Sequence, residues 1–205
     1  RHRDCPPGLK IMLATYFGAL ADNLDAVVAL PVAGLHVDLA RAPEQLERVL
    51  SVVRADQVLS LGVIDGRNIW RADLAAMLER LGPVIASRGA DAIEIAASCS
   101  LLHVPIDLEL EKGLDADLKS WLSFATQKLG ELSTLGKGLA QGEDAVREIV
   151  NGASQAIAVR ASSPKVTDPL VQGRIADIDT AMISRKSAFD MRRQIQADAI
   201  KLPLF

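Results

Sequence analysis

The chain has 205 residues, of which 49% are hydrophobic, and a formal net charge of −3 at pH 7. That is enough apolar material for one sizeable core, while the mild acidity and the 3% aromatic content argue against a nucleic-acid partner. No apolar run is long enough to span a bilayer.

The opening Arg1-His2-Arg3-Asp4-Cys5-Pro6-Pro7 lacks the apolar core of a signal peptide. Cys5 and Cys99 are too few and too far apart for a disulfide framework, so a reducing, cytoplasmic setting is expected. The chain begins without Met in a polar, proline-rich stretch, which reads as a cut inside a longer protein.

A first strand is predicted over 9–17, between Gly8 and Gly18. A helical stretch from Ala19 to Leu30 follows, and Pro31 ends it. The second predicted strand covers 34–39. Its helix carries Pro43 in the first turn and Leu46, Val49, Leu50 and Val53 at helical spacing. A third strand over 58–65 precedes a helix from about Ala72 to Arg88, with Gly89 suited to its carboxyl end. The fourth strand covers 92–98 and leads into Cys99-Ser100-Leu101-Leu102-His103.

These strands are near-continuously apolar, as expected of a parallel sheet with helices on its outer face. From 115 onward the period is purely helical. Leu118, Leu122, Ala125, Leu129 and Leu132 form one stripe, and Val146, Ile149, Val150, Ala153 and Ile157 another. Ser162-Ser163-Pro164 breaks the second, and Thr167-Asp168-Pro169 signals a new helix start.

The βαβαβαβ order places the chain in the α/β class, as half of a (β/α)8 TIM barrel: four parallel βα units and a helical tail in a single segment, 1–205. A flavodoxin-like sheet would need about five strands and a glycine-rich turn after the first. Tyr16-Phe17-Gly18-Ala19-Leu20-Ala21 is not such a turn. Half a barrel leaves two open strand edges, together with an inner face expected to expose Val, Ile and Leu. Those edges call for the missing barrel half or a second copy of the chain.

In barrels of this kind the working residues sit where strands end. Thr15, His36 with Asp38 and Arg41, Asp65 with Arg67 and Asn68, and Ser98, Cys99, Ser100 and His103 fall there. The Arg–carboxylate pairs either hold a polar ligand or bind each other to fix the loops. The second reading is preferred, since ion-pair networks are often structural. His36, Asp38, Cys99 and His103 would make a metal set only if their strand ends converged, and none has the close-spaced partner of a zinc motif.

Several strings go further: Ala14-Thr15-Tyr16-Phe17-Gly18, Gly34-Leu35-His36-Val37-Asp38-Leu39-Ala40-Arg41, and Leu61-Gly62-Val63-Ile64-Asp65-Gly66-Arg67-Asn68-Ile69-Trp70. With Ser98-Cys99-Ser100-Leu101-Leu102-His103, Lys119-Ser120-Trp121-Leu122 and Ser162-Ser163-Pro164-Lys165-Val166-Thr167, they run in order nearly end to end. The chain resembles the second half of the amino-terminal barrel of cobalamin-independent methionine synthase.

The resemblance implies a parent enzyme that transfers a methyl group from 5-methyltetrahydropteroyl-polyglutamate to homocysteine. In that family the zinc ion lies in the carboxyl-terminal barrel, held by two Cys, a His and a Glu. The two barrels are alike, and where the catalytic one has His-x-Cys this chain has His36-Val37-Asp38, with no clear counterpart of the Glu. No catalytic residue and no metal ligand is therefore carried over, and no cofactor is expected on this segment. Asp65, Arg67 and Asn68 remain candidate substrate-binding rim residues. The alternative to a scaffold half of the methyltransferase is a stand-alone structural or interaction module without activity.

Overall fold

The computed structural model describes residues 8–201, and Cys5 lies outside them. Four strands form one parallel sheet in sequential order: β1 (Met12–Ala14), β2 (Gly34–Asp38), β3 (Val58–Ile64) and β4 (Ile93–Ala97). Helices α1 (Leu24–Val28), α2 (Gln45–Val52) and α3 (Leu74–Arg88) fall between successive strands. After β4 come α4 (Ala116–Trp121), α5 (Ala125–Gln141) and α6 (Arg147–Ser162).

Alternation along the strands decides what holds the sheet. Leu35, Val37 and Leu39 from β2 and its end, with Leu59, Leu61 and Val63 from β3, are buried with Leu46 and Val49 of α2 and Leu74, Leu78 and Leu81 of α3. Leu135 of α5 joins the same core. Each such side chain contributes roughly 1.5–3 kcal/mol by leaving water.

The opposite face overturns one expectation. In register across the strands it carries Met12 and Ala14, Gly34 and His36, Ser60 and Gly62, and Glu94 and Ala96, a small and polar set where Val, Ile and Leu were expected. The glycines explain how it packs. A Cβ on Gly34 would lie 2.5 Å from the Met12 Cε, and one on Gly62 would lie 2.9 Å from the His36 Cε1. Long side chains of one strand thus lie across glycines of the next.

Two further differences have physical causes. The first strand, expected over nine residues, has only three. The Thr15 hydroxyl turns onto the His36 carbonyl at 2.8 Å, and Phe17 then adopts φ 72°, which no strand tolerates. In α5 the expected stripe is rotated: Leu129 is 58% exposed, whereas Lys128, Glu131, Thr134 and Leu135 are buried. Lys128 and Glu131 turn inward because they bond the backbone of the loop before α3, at the Trp70 carbonyl and the Ala72 N–H.

The chain divides into two compact units, 1–160 and 161–205. The second contains α7 (Pro169–Ala176), α8 (Thr180–Ile183) and α9 (Phe189–Ile200). Asp168 caps α7 through the Leu170 N–H, with Pro169 in the first turn, and Asp179 caps α8 through the Met182 N–H. Among the described residues no helix is long and apolar enough to cross a membrane.

Candidate functional site

Polar residues from all four strand ends meet at the carboxyl edge of the sheet. Asp38, 1% exposed, organises it. Its Oδ1 accepts the N–H groups of Ala40 and Arg41 at 3.0 and 2.9 Å, and its Oδ2 accepts that of Phe17 at 2.8 Å. The carboxylate thereby ties the β1 end to the β2 end and holds Phe17 in its left-handed conformation.

The loop after β3 is built by the three residues singled out from the sequence. Asp65 accepts the Arg67 N–H through Oδ1 and the Asn68 side-chain amide through Oδ2, both at 2.8 Å. The Asn68 Oδ1 in turn accepts the Trp70 N–H at 3.0 Å. Arg41 stands 3.8 Å from Asp65 with its guanidinium half exposed, a pair worth at most about 1 kcal/mol. Gly66 is required where it stands, because a Cβ there would meet the Cys99 carbonyl oxygen and Sγ at 2.9 Å.

Asp65, Arg67 and Asn68 do not face one place. The Arg67 guanidinium lies 4.6 Å over the Phe17 ring. Tyr16 meets that ring edge-on at 4.8 Å, and His103 approaches it at 5.7 Å. Asp65 and Asn68 instead line a cavity on the helix side of the sheet. Phe17, which no sequence signal marks as special, is the hub that links the ends of β1, β3 and β4.

The donor set does not fit a zinc ion. The two ring nitrogens of His36 lie 3.0 Å from the Ser60 Oγ and 3.4 Å from the Ser98 carbonyl. Asp38 is engaged by three N–H groups, and His103 packs on Phe17. The Cys99 thiol donates to the Ser100 carbonyl at 3.7 Å. Burial pushes that thiol up, with the Ser98 side chain acting against it and Asp38 and Asp65 adding to the rise.

A raised pKa leaves less thiolate, and thiolate is the reactive form. In a Cys5→Ser variant, Cys99 is expected to react at pH 8 with a disulfide reagent far more slowly than free cysteine, and at the free rate in denaturant. Rapid labelling of the native protein would show an accessible thiolate instead.

Residues 3–89 match the family model described as cobalamin-independent synthase, N-terminal domain. A Nitrobacter winogradskyi protein named 5-methyltetrahydropteroyltriglutamate–homocysteine methyltransferase is 58% identical over 202 residues, which are 98% of this chain and 26% of that protein. Identically named proteins of Mesorhizobium japonicum and Rhodopseudomonas palustris are 58% and 54% identical over 199 residues, 97% of this chain in each case, and 26% and 25% of those proteins. The chain thus spans about a quarter of the length of the curated relatives it matches. It belongs to the cobalamin-independent methionine synthase family, as part of that family's N-terminal region.

Proposed function

We propose that the chain is the second half of an amino-terminal (β/α)8 barrel, and that it serves as a scaffold, without catalytic residues, in a homocysteine methyltransferase. The parent reaction moves a methyl group from 5-methyltetrahydropteroyl-polyglutamate to homocysteine and yields methionine. The observation that carries the scaffold reading is the engagement of the strand-end donors. Asp38, His36 and Asp65 are satisfied by backbone and neighbouring side chains, which leaves little to act on a substrate.

The half-barrel reading is supported by the sequential strand order, with β1 and β4 as open edges. Doubly wound sheets reverse their order at a switch point. Asp65, Arg67 and Asn68 serve the rim by setting the loop after β3. Zinc, which supplies thiolate activation in this chemistry, belongs to the parent's carboxyl-terminal barrel. The same reading makes the parent an enzyme of the cytoplasm.

The purified chain, given methyltetrahydrofolate polyglutamate and homocysteine, is expected to form no methionine above a protein-free control. After dialysis it should hold well below one equivalent of zinc. Methionine formation, or stoichiometric zinc, would place catalytic groups in this segment and end the scaffold reading.

A further inference from the structure

On the helix side of the sheet, the cavity of about 310 Å³ that Asp65 and Asn68 line is also bordered by Arg71, Arg80 and Lys128, between the ends of β2 and β3 and helices α3 and α5. Nothing in the scaffold reading requires three cations there. Their partners are few. Lys128 is 1% exposed, and its ammonium donates to the Trp70 carbonyl at 3.2 Å. An ammonium carries three N–H bonds, and among the described residues no carboxylate oxygen lies within 4 Å of this one.

Arg71, partly buried, makes no side-chain hydrogen bond or ion pair among the described residues. Arg80 donates to the Pro43 carbonyl and is likewise without an ion pair.

The acids nearby are engaged elsewhere or too distant. Asp65 serves Arg67, Asn68 and Arg41. Glu131 accepts the Ala72 N–H through Oε1, its buried Oε2 has no hydrogen-bond partner among the described residues, and it stands beyond the 4 Å ion-pair distance of Lys128 and Arg71. Burying an ammonium without a counter-ion is costly. Burial pushes the Lys128 pKa down, with Glu131 and Asp65 only partly offsetting it. Two guanidinium groups and a lysine border one cavity whose single lining carboxylate, Asp65, is already engaged, and such an excess of cations suits an anion.

We propose that this cavity binds an anionic oxygen group, a carboxylate or a phosphate, held by Lys128 from α5, by Arg71 from the loop before α3 and by Arg80 from α3 itself. The cavity has room for such a group with a few attached atoms. The site lies on the outer side of the sheet and stands independently of the methyltransferase reading, since it rests on the cations alone.

Calorimetric titration of the full-length protein with inorganic phosphate, and separately with glutarate, tests the site. Saturable binding is expected for at least one anion, and Lys128→Met and Arg80→Gln should each weaken it about tenfold. Arg80 is exposed on α3, so its variant keeps the fold even if Lys128→Met does not. Preference for phosphate would mark a phosphate site, and preference for glutarate a carboxylate site. No saturable binding of either anion, or unchanged affinity in Arg80→Gln and in a folded Lys128→Met, would overturn the proposal.

Discussion

Gly62→Val is expected to lower stability by about 3 kcal/mol, or roughly 6–12 °C in Tm for a chain of this size. Gly62 sits in β3, paired to Asp38 of β2 on one side and Ala96 of β4 on the other. A Cβ there would lie 2.8 Å from the Ser98 Cα and 2.9 Å from the Val37 carbonyl oxygen. Both are backbone atoms of neighbouring strands or strand ends, so neither can step aside without distorting the sheet. His36, the third neighbour at 2.9 Å, would lose its place between Ser60 and the Ser98 carbonyl. Gly82→Ala supplies the control. A Cβ on Gly82 meets nothing within 4 Å, and helix propensity favours alanine by about 1 kcal/mol in α3. Thermal melts of the two variants should therefore move in opposite directions, and a Gly62→Val Tm within 2 °C of wild type, on the size scaling used above, would refute the close-packing account of the inner face.

Asp38→Ala is expected to cost about 3 kcal/mol as well, by a different route. Three partly buried backbone N–H groups, of Phe17, Ala40 and Arg41, lose their common acceptor, the buried Asp38 carboxylate, at about 1 kcal/mol for each. The change does more than subtract bonds. Phe17 holds a left-handed conformation whose strain is of order 1–3 kcal/mol. Without the Asp38 oxygen it is expected to relax, taking its ring away from Arg67 and His103. Asp38→Asn should fall between, because one amide oxygen remains while the NH2 group faces an N–H. Urea melts of both variants check the order. An Asp38→Ala protein within about 0.5 kcal/mol of wild type, the range of ordinary surface changes, would remove Asp38 from its organising role.

The parallel sheet was legible because β2 and β3 are short segments rich in Leu, Val and Ile bounded by turn residues, and both are buried along nearly their whole length. The length of β1 was not. Residues 9–17 read as one strand, and the turn that cuts it short depends on the Thr15 hydroxyl reaching a carbonyl 21 positions away. Hydropathy also misjudged α5, since Leu129 is the better apolar residue and yet Lys128 is the buried one. What draws Lys128 inward is a loop carbonyl 58 positions earlier, which no local pattern records. At the rim, Asp65, Arg67 and Asn68 were found by their place at a strand end. That Arg67 stacks on Phe17 while Asp65 and Asn68 turn to the helix side depends on side-chain direction. The three cations of the cavity stand at positions 71, 80 and 128, too far apart to read as a cluster.

The open edges of the sheet give the most direct test of an incomplete barrel. Met12 in β1 is 38% exposed and Leu9 just before it 59%, and the segment after β4 leaves Leu102 94% and Ile106 75% exposed. Unpaired strand edges beside such side chains favour association, although the small, polar inner face weakens the apolar part of that drive. Light scattering on the chain eluting from a sizing column measures the outcome. The expected result is a mass well above the 21.9 kDa of one chain, or a 21.9 kDa species that melts without cooperativity. A soluble 21.9 kDa monomer with a sharp, cooperative melt would contradict the half-barrel reading.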